Sequence, residues 1–356
     1  MKDKKKFRIT LGSFDLIKGI AMICIVVGHT MADYDREMLL NRLPILYILG
    51  IGTFAIPALF MISGYGFREK TIVVMLKNTV SGMLKPYLFV MLVIVILYPY
   101  MFYLDSLDWN NAVRTSIGYT LAYMMGVSKY EPLIFGYQVK WIGAIWFLLA
   151  SFVAFNVMNL IIKVKNTVIQ TVLAAISFAV GYVLLINGIN YGCLPHGLIG
   201  VGYSYIGYML KKHKLLERLT DCPWVYIILI PISFAEMKWG YFDLNLGSFR
   251  YGIAECIVAG AVGLLLMIAG VKVGQLDWKV LDWIKGIGMY SYWIFCVHNV
   301  DMALPQWHSL ANMGNKPLLS FALAIAIRAA EITIACVIIK RITEQNYIRR
   351  KLKNVG

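Results

Sequence analysis

Lys18 and His29 stand eleven residues apart inside one apolar run, with Asp15 three residues before the lysine. If the run is helical, eleven residues make three turns plus about 20°, so lysine and imidazole share a face about 16 Å apart along the axis. Asp15 falls on the same stripe and can pair with Lys18. One helix face would then carry an acid and a base near one end and an imidazole near the other. An imidazole exchanges its proton near neutral pH and suits general-base work on a hydroxyl. Further along the chain, Asp301 follows His298 by three residues and Glu331 follows Arg328 by three, while Glu255 and, more weakly, His196 also lie in apolar surroundings. Each has an alternative reading. Asp15 and Lys18 fit a snorkelling lysine with its counter-ion, His29 fits a helix-end histidine, and the later pairs fit local neutralisation in lipid.

These residues need helices to carry them. Of 356 residues, 60% are hydrophobic and only 15% charged, against roughly 45–50% and about 25% in a soluble domain, which identifies an integral membrane protein. Windows long enough to cross a hydrocarbon core, about 17–25 residues, lie near 12–31, 45–67, 84–104, 141–162, 167–187, 194–210, 224–240, 251–271, 285–304 and 318–340. The expected fold is an all-α, polytopic bundle of about ten spans, with 111–127 interfacial or re-entrant. With the N-terminus inside, cytoplasmic segments hold 24 basic residues and outer loops 8. The positive-inside rule thus places both termini in the cytoplasm and accounts for the +15 net charge without nucleic acid. The basic N-terminus followed by an apolar run reads as a retained first span rather than a cleaved signal. In this layout Leu11 to His29 rises about 27 Å, so His29 lies in the outer half of the core. Ionisable groups at that depth mark a site or pathway.

Arg68, Lys70, Lys77 and Lys85 cluster on the inner side beside Ser63-Gly64. Such a cluster fits a phosphate-bearing ligand, anionic lipid headgroups, or the inside rule alone, and Ser63-Gly64 also fits close helix approach. Six scattered cysteines form no metal-ligand or disulfide pattern, and no metal is expected. Gly286-Ile287-Gly288 lacks the preceding strand of a dinucleotide fingerprint. Asp33, four residues after His29, is placed to hold the imidazole if the helix continues that far.

Phe14-Asp15-Leu16-Ile17-Lys18-Gly19-Ile20-Ala21, followed by Val27-Gly28-His29, resembles the opening of the membrane-bound acyltransferase-3 family. The family motif is an arginine, ten residues and a histidine; here lysine replaces the arginine, keeping charge but losing the bidentate fork. Phe60-Met61-Ile62-Ser63-Gly64-Tyr65, Leu84-Lys85-Pro86-Tyr87, Ile145-Trp146-Phe147-Leu148, Ile206-Gly207-Tyr208 and Ser291-Tyr292-Trp293-Ile294-Phe295 are similar to later family segments, in family order.

The resemblance implies a single membrane domain over 1–356 in the cytoplasmic (inner) membrane, with short basic tails at 1–11 and 341–356. It implies transfer of an acyl group, acetyl above all, from cytoplasmic acetyl-CoA or another acyl-CoA to a hydroxyl of an envelope polysaccharide or lipid-linked sugar. His29, Lys18 and Asp15 would be catalytic, His29 as general base or transient acyl carrier. Arg68, Lys77, Lys85 and Ser63 would bind acyl-CoA, while His298, Arg328 and Trp146 would serve the acceptor or the oxyanion. Trp141, Tyr292 and Trp293 would join Trp146 in an outer vestibule. The competing readings are a transporter or flippase without acyl transfer, and a haem held between His29 and His298.

Overall fold

The computed structural model describes residues 9, 11–43, 46, 51–129, 131, 133–302, 304, 306–311 and 316–353. Most of the expected N-terminal basic tail lies outside these residues. A 3-10 turn, Leu11–Phe14, leads into α1 (Asp15–Ala32), followed by α2 (Arg36–Arg42) and α3 (Ile51–Gly66). The helices α4 (Ile72–Thr79) and α5 (Lys85–Ser106) are joined by a π-helical turn, Val80–Leu84, and α6 (Trp109–Met125) follows. A hairpin of β1 (Leu133–Ile134) and β2 (Tyr137–Gln138) precedes α7 (Trp146–Ile161), α8 (Thr167–Ile186), α9 (Leu194–Lys212), α10 (Leu215–Thr220) and α11 (Pro223–Trp239). A second hairpin, β3 (Phe242–Asp243) and β4 (Ser248–Phe249), leads to α12 (Ile253–Val273), α13 (Lys279–Met289), α14 (Ser291–Met302), α15 (Gln306–Ala311) and α16 (Pro317–Lys353).

Six described helical segments are long and apolar enough to cross a membrane: Gly12–Ala32, Ile72–Ser106, Gly143–Ile161, Thr167–Ile186, Ile253–Val273 and Pro317–Ile339. Their outward rows, such as Leu88, Phe89, Leu92 and Ile96 on α5 and Val172, Ile176 and Val180 on α8, remain exposed, as lipid-facing surface must. The other four expected windows also fall on helices, of a different kind. Phe54–Gly66 is a shorter apolar helix, and α9 and α11 are 19 and 17 residues long. The window 285–304 is not one continuous helix: α13 ends at Met289 and α14 begins at Ser291. Segment 111–127 is the well-formed α6, started by Asp108, whose side chain accepts from the backbone N–H of Asn110 (2.9 Å) and Asn111 (3.2 Å).

Glycines bring the helices together in reciprocal pairs. A Cβ on Gly64 of α3 would sit 1.8 Å from the carbonyl oxygen of Ser204 on α9, and one on Gly207 of α9 would sit 1.9 Å from that of Met61 on α3. The helices α1 and α13 repeat the device: Gly19 abuts the carbonyl of Ile284 and Gly288 that of Asp15. Removing side chains at both crossing points lets backbones touch, which is how helices associate where hydrophobic burial gives no net drive. Within Gly286-Ile287-Gly288 it is Gly288 that serves this packing. The π turn before α5 has a comparable logic. Pro86 has no N–H to give the carbonyl of Gly82 four residues back, and the Tyr292 hydroxyl donates to that carbonyl instead (2.7 Å).

Because the clash at Gly207 is with backbone that cannot rotate away, Gly207→Val should fall at or beyond the upper end of the overpacking range, about 3 kcal/mol. Gly286→Ala, where a Cβ meets nothing within 4 Å, should leave stability unchanged. Thermal unfolding of both variants in detergent checks this, and equal melting temperatures would contradict it.

Candidate active site

The site grows from a charge that α1, α14, α15 and α16 enclose together. Arg328 of α16 is 0% exposed, the largest fully buried side chain described. Its Nη1 donates to Thr30 Oγ1 (2.7 Å), its Nη2 to Asp33 Oδ2 (3.3 Å), and its Nε lies 3.1 Å from Asp301 Oδ2. The guanidinium carbon lies 4.2 Å from the centre of the Trp307 ring. Trp307 is held by its own Nε1, which donates to the carbonyl of Asp301 (3.0 Å). A buried cation persists only when opposite charge stands beside it, as Asp33 and Asp301 do here.

This cluster fixes two imidazoles. His29 Nδ1 lies 3.0 Å from His298 Nε2, the rings stacked at 5.3 Å and 19°. On the far side, His298 Nδ1 faces Asp301 Oδ2 at 3.6 Å. His298 is fully buried, whereas His29 lines a cavity. The chain of contacts therefore runs from the cavity inward: His29, His298, Asp301, Arg328. The expected hold of Asp33 on His29 gives way to this arrangement, because α1 ends at Ala32 and Asp33 turns to Arg328. Direct contact of the two ring nitrogens leaves no space for an iron between them, so the haem reading does not fit.

The cavity encloses about 720 Å³, inside the range of small-molecule sites. At one end it is lined by Lys18, Ser63, Ser291 and Tyr292. Lys18 is clamped by Asp15 at 2.5 Å, as the spacing predicts. Its middle is walled by Met22, Ile25, Phe147 and Phe295, and its other end by His29, Trp141, Trp146 and residues of α11 and the β3–β4 hairpin. Lys18 and His29 both reach it, about 16 Å apart along α1.

Trp146 is placed by an inserted polar clasp. Gly143 takes φ +67°, and a Cβ there would lie 2.6 Å from Asn299 Oδ1. That oxygen accepts from the N–H of Ile145 (2.9 Å), while Asn299 Nδ2 donates to the Tyr123 hydroxyl (2.5 Å). Segments that carry the family resemblance thus meet in pairs: Ile145-Trp146 against α14, Gly207 against Met61, and Tyr292 against the residues before Pro86.

Other expectations are redistributed. Tyr292 lies at the Lys18 end, not in an outer vestibule with Trp141 and Trp146, because its hydroxyl is drawn to Gly82. Trp293 is 37% exposed. Arg328 is enclosed away from the cavity. Arg68, Lys77 and Lys85 are exposed outside the cavity wall, with Ser63 alone of that group lining it. Glu236, Asp243 and Asn245, which line the His29 end, carried no sequence signal as site residues.

Replacing Arg328 by Met would strand Asp33 and Asp301, and breaking a buried ion pair costs about 3–5 kcal/mol. Arg328→Lys should recover only part of this, since one ammonium cannot reach Thr30, Asp33 and Asp301 in the same geometry. Thermal unfolding of the two variants checks the order; wild-type stability in Arg328→Met would contradict the account.

Against this geometry, comparison with other proteins gives a single strong result. No curated protein and no solved structure matches the chain significantly. Residues 11–338, however, match the acyltransferase-3 family, described as an acyltransferase domain. The match takes in α1, the whole cavity and the membrane-crossing part of α16, and the chain therefore belongs to the acyltransferase-3 family of membrane acyltransferases.

Proposed function

We propose that this protein transfers an acyl group, acetyl in the first instance, from acyl-CoA at the Lys18 end of the cavity to a hydroxyl of an envelope glycan or lipid-linked sugar at the His29 end. In this reading it lies in the cytoplasmic membrane as one domain, with the Lys18 end facing the cytoplasm. The observation that carries the proposal is that one cavity joins Lys18 to an imidazole backed by a second imidazole and a carboxylate.

The contacts define a consistent set of protons. With His29 Nδ1 protonated and donating to His298 Nε2, His29 Nε2 keeps its lone pair for the substrate. His298 then carries its own proton on Nδ1, facing Asp301. The acceptor hydroxyl gives its proton to His29 Nε2 as its oxygen attacks the thioester carbonyl carbon. The tetrahedral intermediate collapses, the C–S bond breaks, and the departing sulfur takes the proton back, leaving ester and free CoA thiol. The imidazolium formed midway is stabilised through His298 by Asp301, as an orienting carboxylate does in a catalytic triad. Arg328 anchors Asp301 rather than binding the oxyanion. The Asp15–Lys18 pair guards the entry, where Ser63, Tyr292 and the exposed Arg68, Lys77 and Lys85 offer hydrogen bonds and charge to pantetheine and phosphates.

General-base catalysis contributes about 10²–10⁴-fold, so His29→Gln should slow acyl transfer by that factor while inserting normally. His298→Leu should lower kcat with little change in either KM, since it acts through His29. Lys18→Arg should retain activity and Lys18→Gln should lose most of it, through a raised KM for acyl-CoA. The assay is acetyl-CoA-dependent modification of isolated envelope glycan by purified protein. Undiminished transfer by His29→Gln would remove the imidazole from the mechanism, and acceptor movement across the membrane without acylation would favour a carrier.

A further inference from the structure

The His29 end of the cavity contains polar groups that the acyl-transfer step does not use. Glu236 is 7% exposed, and its Oε1 is buried without a hydrogen-bond partner among the described residues. Asn245 Oδ1 is in the same state, and both residues line the cavity together with Asp243. One carboxyl oxygen and one amide oxygen left without donors are costly, and a ligand with hydroxyl or ammonium groups supplies those donors.

The end is also rigidly held. Glu255 accepts from the backbone N–H groups of Tyr241 and Tyr251, tying the hairpin to α12. The Asn245 carbonyl accepts from Ser128 Oγ (2.8 Å) and lies 3.2 Å from His196 Nε2, tying the same loop to α9. Asp243 Oδ1 accepts from the Leu246 N–H (3.0 Å). Burial pushes its carboxyl above the usual range, the hydrogen bonds from Leu246 and Asn245 opposing the rise.

Charge is distributed unevenly along the cavity. Among the described lining residues the one lysine or arginine is Lys18, about 16 Å along α1 from His29. Lys238, two residues from Glu236, lies 5.1 Å from the centre of the Trp239 ring and does not line the cavity. Glu255 adjoins Glu236, and Arg250, just past the far strand of the hairpin, donates through Nη1 to the carbonyl of Trp239 (2.9 Å). Glu236 and Asp243 thus set two carboxyl groups against this end of the cavity, where no lysine or arginine among the described residues lines the wall. Trp141, Trp146 and Phe242 add flat apolar faces against which the C–H face of a sugar ring can lie.

We propose that Glu236, Asp243 and Asn245 form an acceptor subsite for a neutral or amine-bearing sugar, and that it rejects sugars carrying carboxylate or phosphate near the acylated hydroxyl. This rests on the acyl-transfer reading for the identity of the occupant, and deepens it by setting the acceptor's charge class.

The test uses full-length protein in nanodiscs and three probes: methyl glucoside, methyl glucosaminide and methyl glucuronide. Binding is read by saturation-transfer NMR and acetylation from acetyl-CoA by mass spectrometry. Like charges brought together across a binding site disfavour the wrong partner, so the glucuronide should bind at least about tenfold more weakly than the other two. In Glu236→Gln combined with Asp243→Asn the gap should close to about twofold. Equal binding of the glucuronide, no binding by any probe, or a gap unchanged in the double variant would overturn the subsite. Acetylation of the glucuronide as readily as the glucoside would do the same while leaving acyl transfer standing. The expected binding order with no acetylated product would instead overturn acyl transfer and leave the subsite.

Discussion

A single arginine buried in an apolar bundle constrains everything near it. Arg328 is fully buried, and Thr30 and Asp33 from the end of α1, Asp301 from α14 and the ring of Trp307 close around it. That enclosure fixes where α1 stops and how deep α14 sits. It also brings His29 and His298, 269 residues apart in sequence, to 3.0 Å. The imidazole pair thus stands directly against the ion cluster, with Asp301 shared between His298 and Arg328.

The glycine crossings complete the frame. By pressing α3 onto α9 and α13 onto α1, they leave a cavity bounded by α1, α3, α7, α14 and the β3–β4 hairpin. Its two ends differ in chemistry: a lysine paired with Asp15 at one, carboxyl groups and an amide at the other. Two chemically distinct ends suit a transfer reaction whose donor and acceptor are held at different places in one cavity.

Much of the first helix was legible in its own spacing. The Asp15–Lys18 pair and the common face of Lys18 and His29 follow from 3.6 residues per turn, and both residues do line the cavity. The later pairs were half legible. His298 and Asp301 do face each other, but the stronger partner of Asp301 is Arg328, on another helix, and no local pattern encodes a contact between helices. Hydropathy found a helix under every window, yet it could not see the break at Tyr290 between α13 and α14, since both sides of the break are equally apolar to a sliding window. Charge counting drew attention to Arg68, Lys77 and Lys85, which remain exposed, and passed over Glu236, because an acid at the end of an apolar window looks like a flaw in a span until the fold turns it inward.

The central claim is that donor and acceptor meet from opposite ends of one cavity. Its most direct measurement is acylation in vesicles holding the protein in a single, protease-mapped orientation, with acetyl-CoA and glycan acceptor supplied separately to either side. The account predicts product only when acetyl-CoA is on the side bearing Lys18 and residues 68–85 and the acceptor is on the other, since CoA phosphates do not cross a hydrocarbon core unaided. Product that requires both substrates on the same side would contradict it, even with His29 essential.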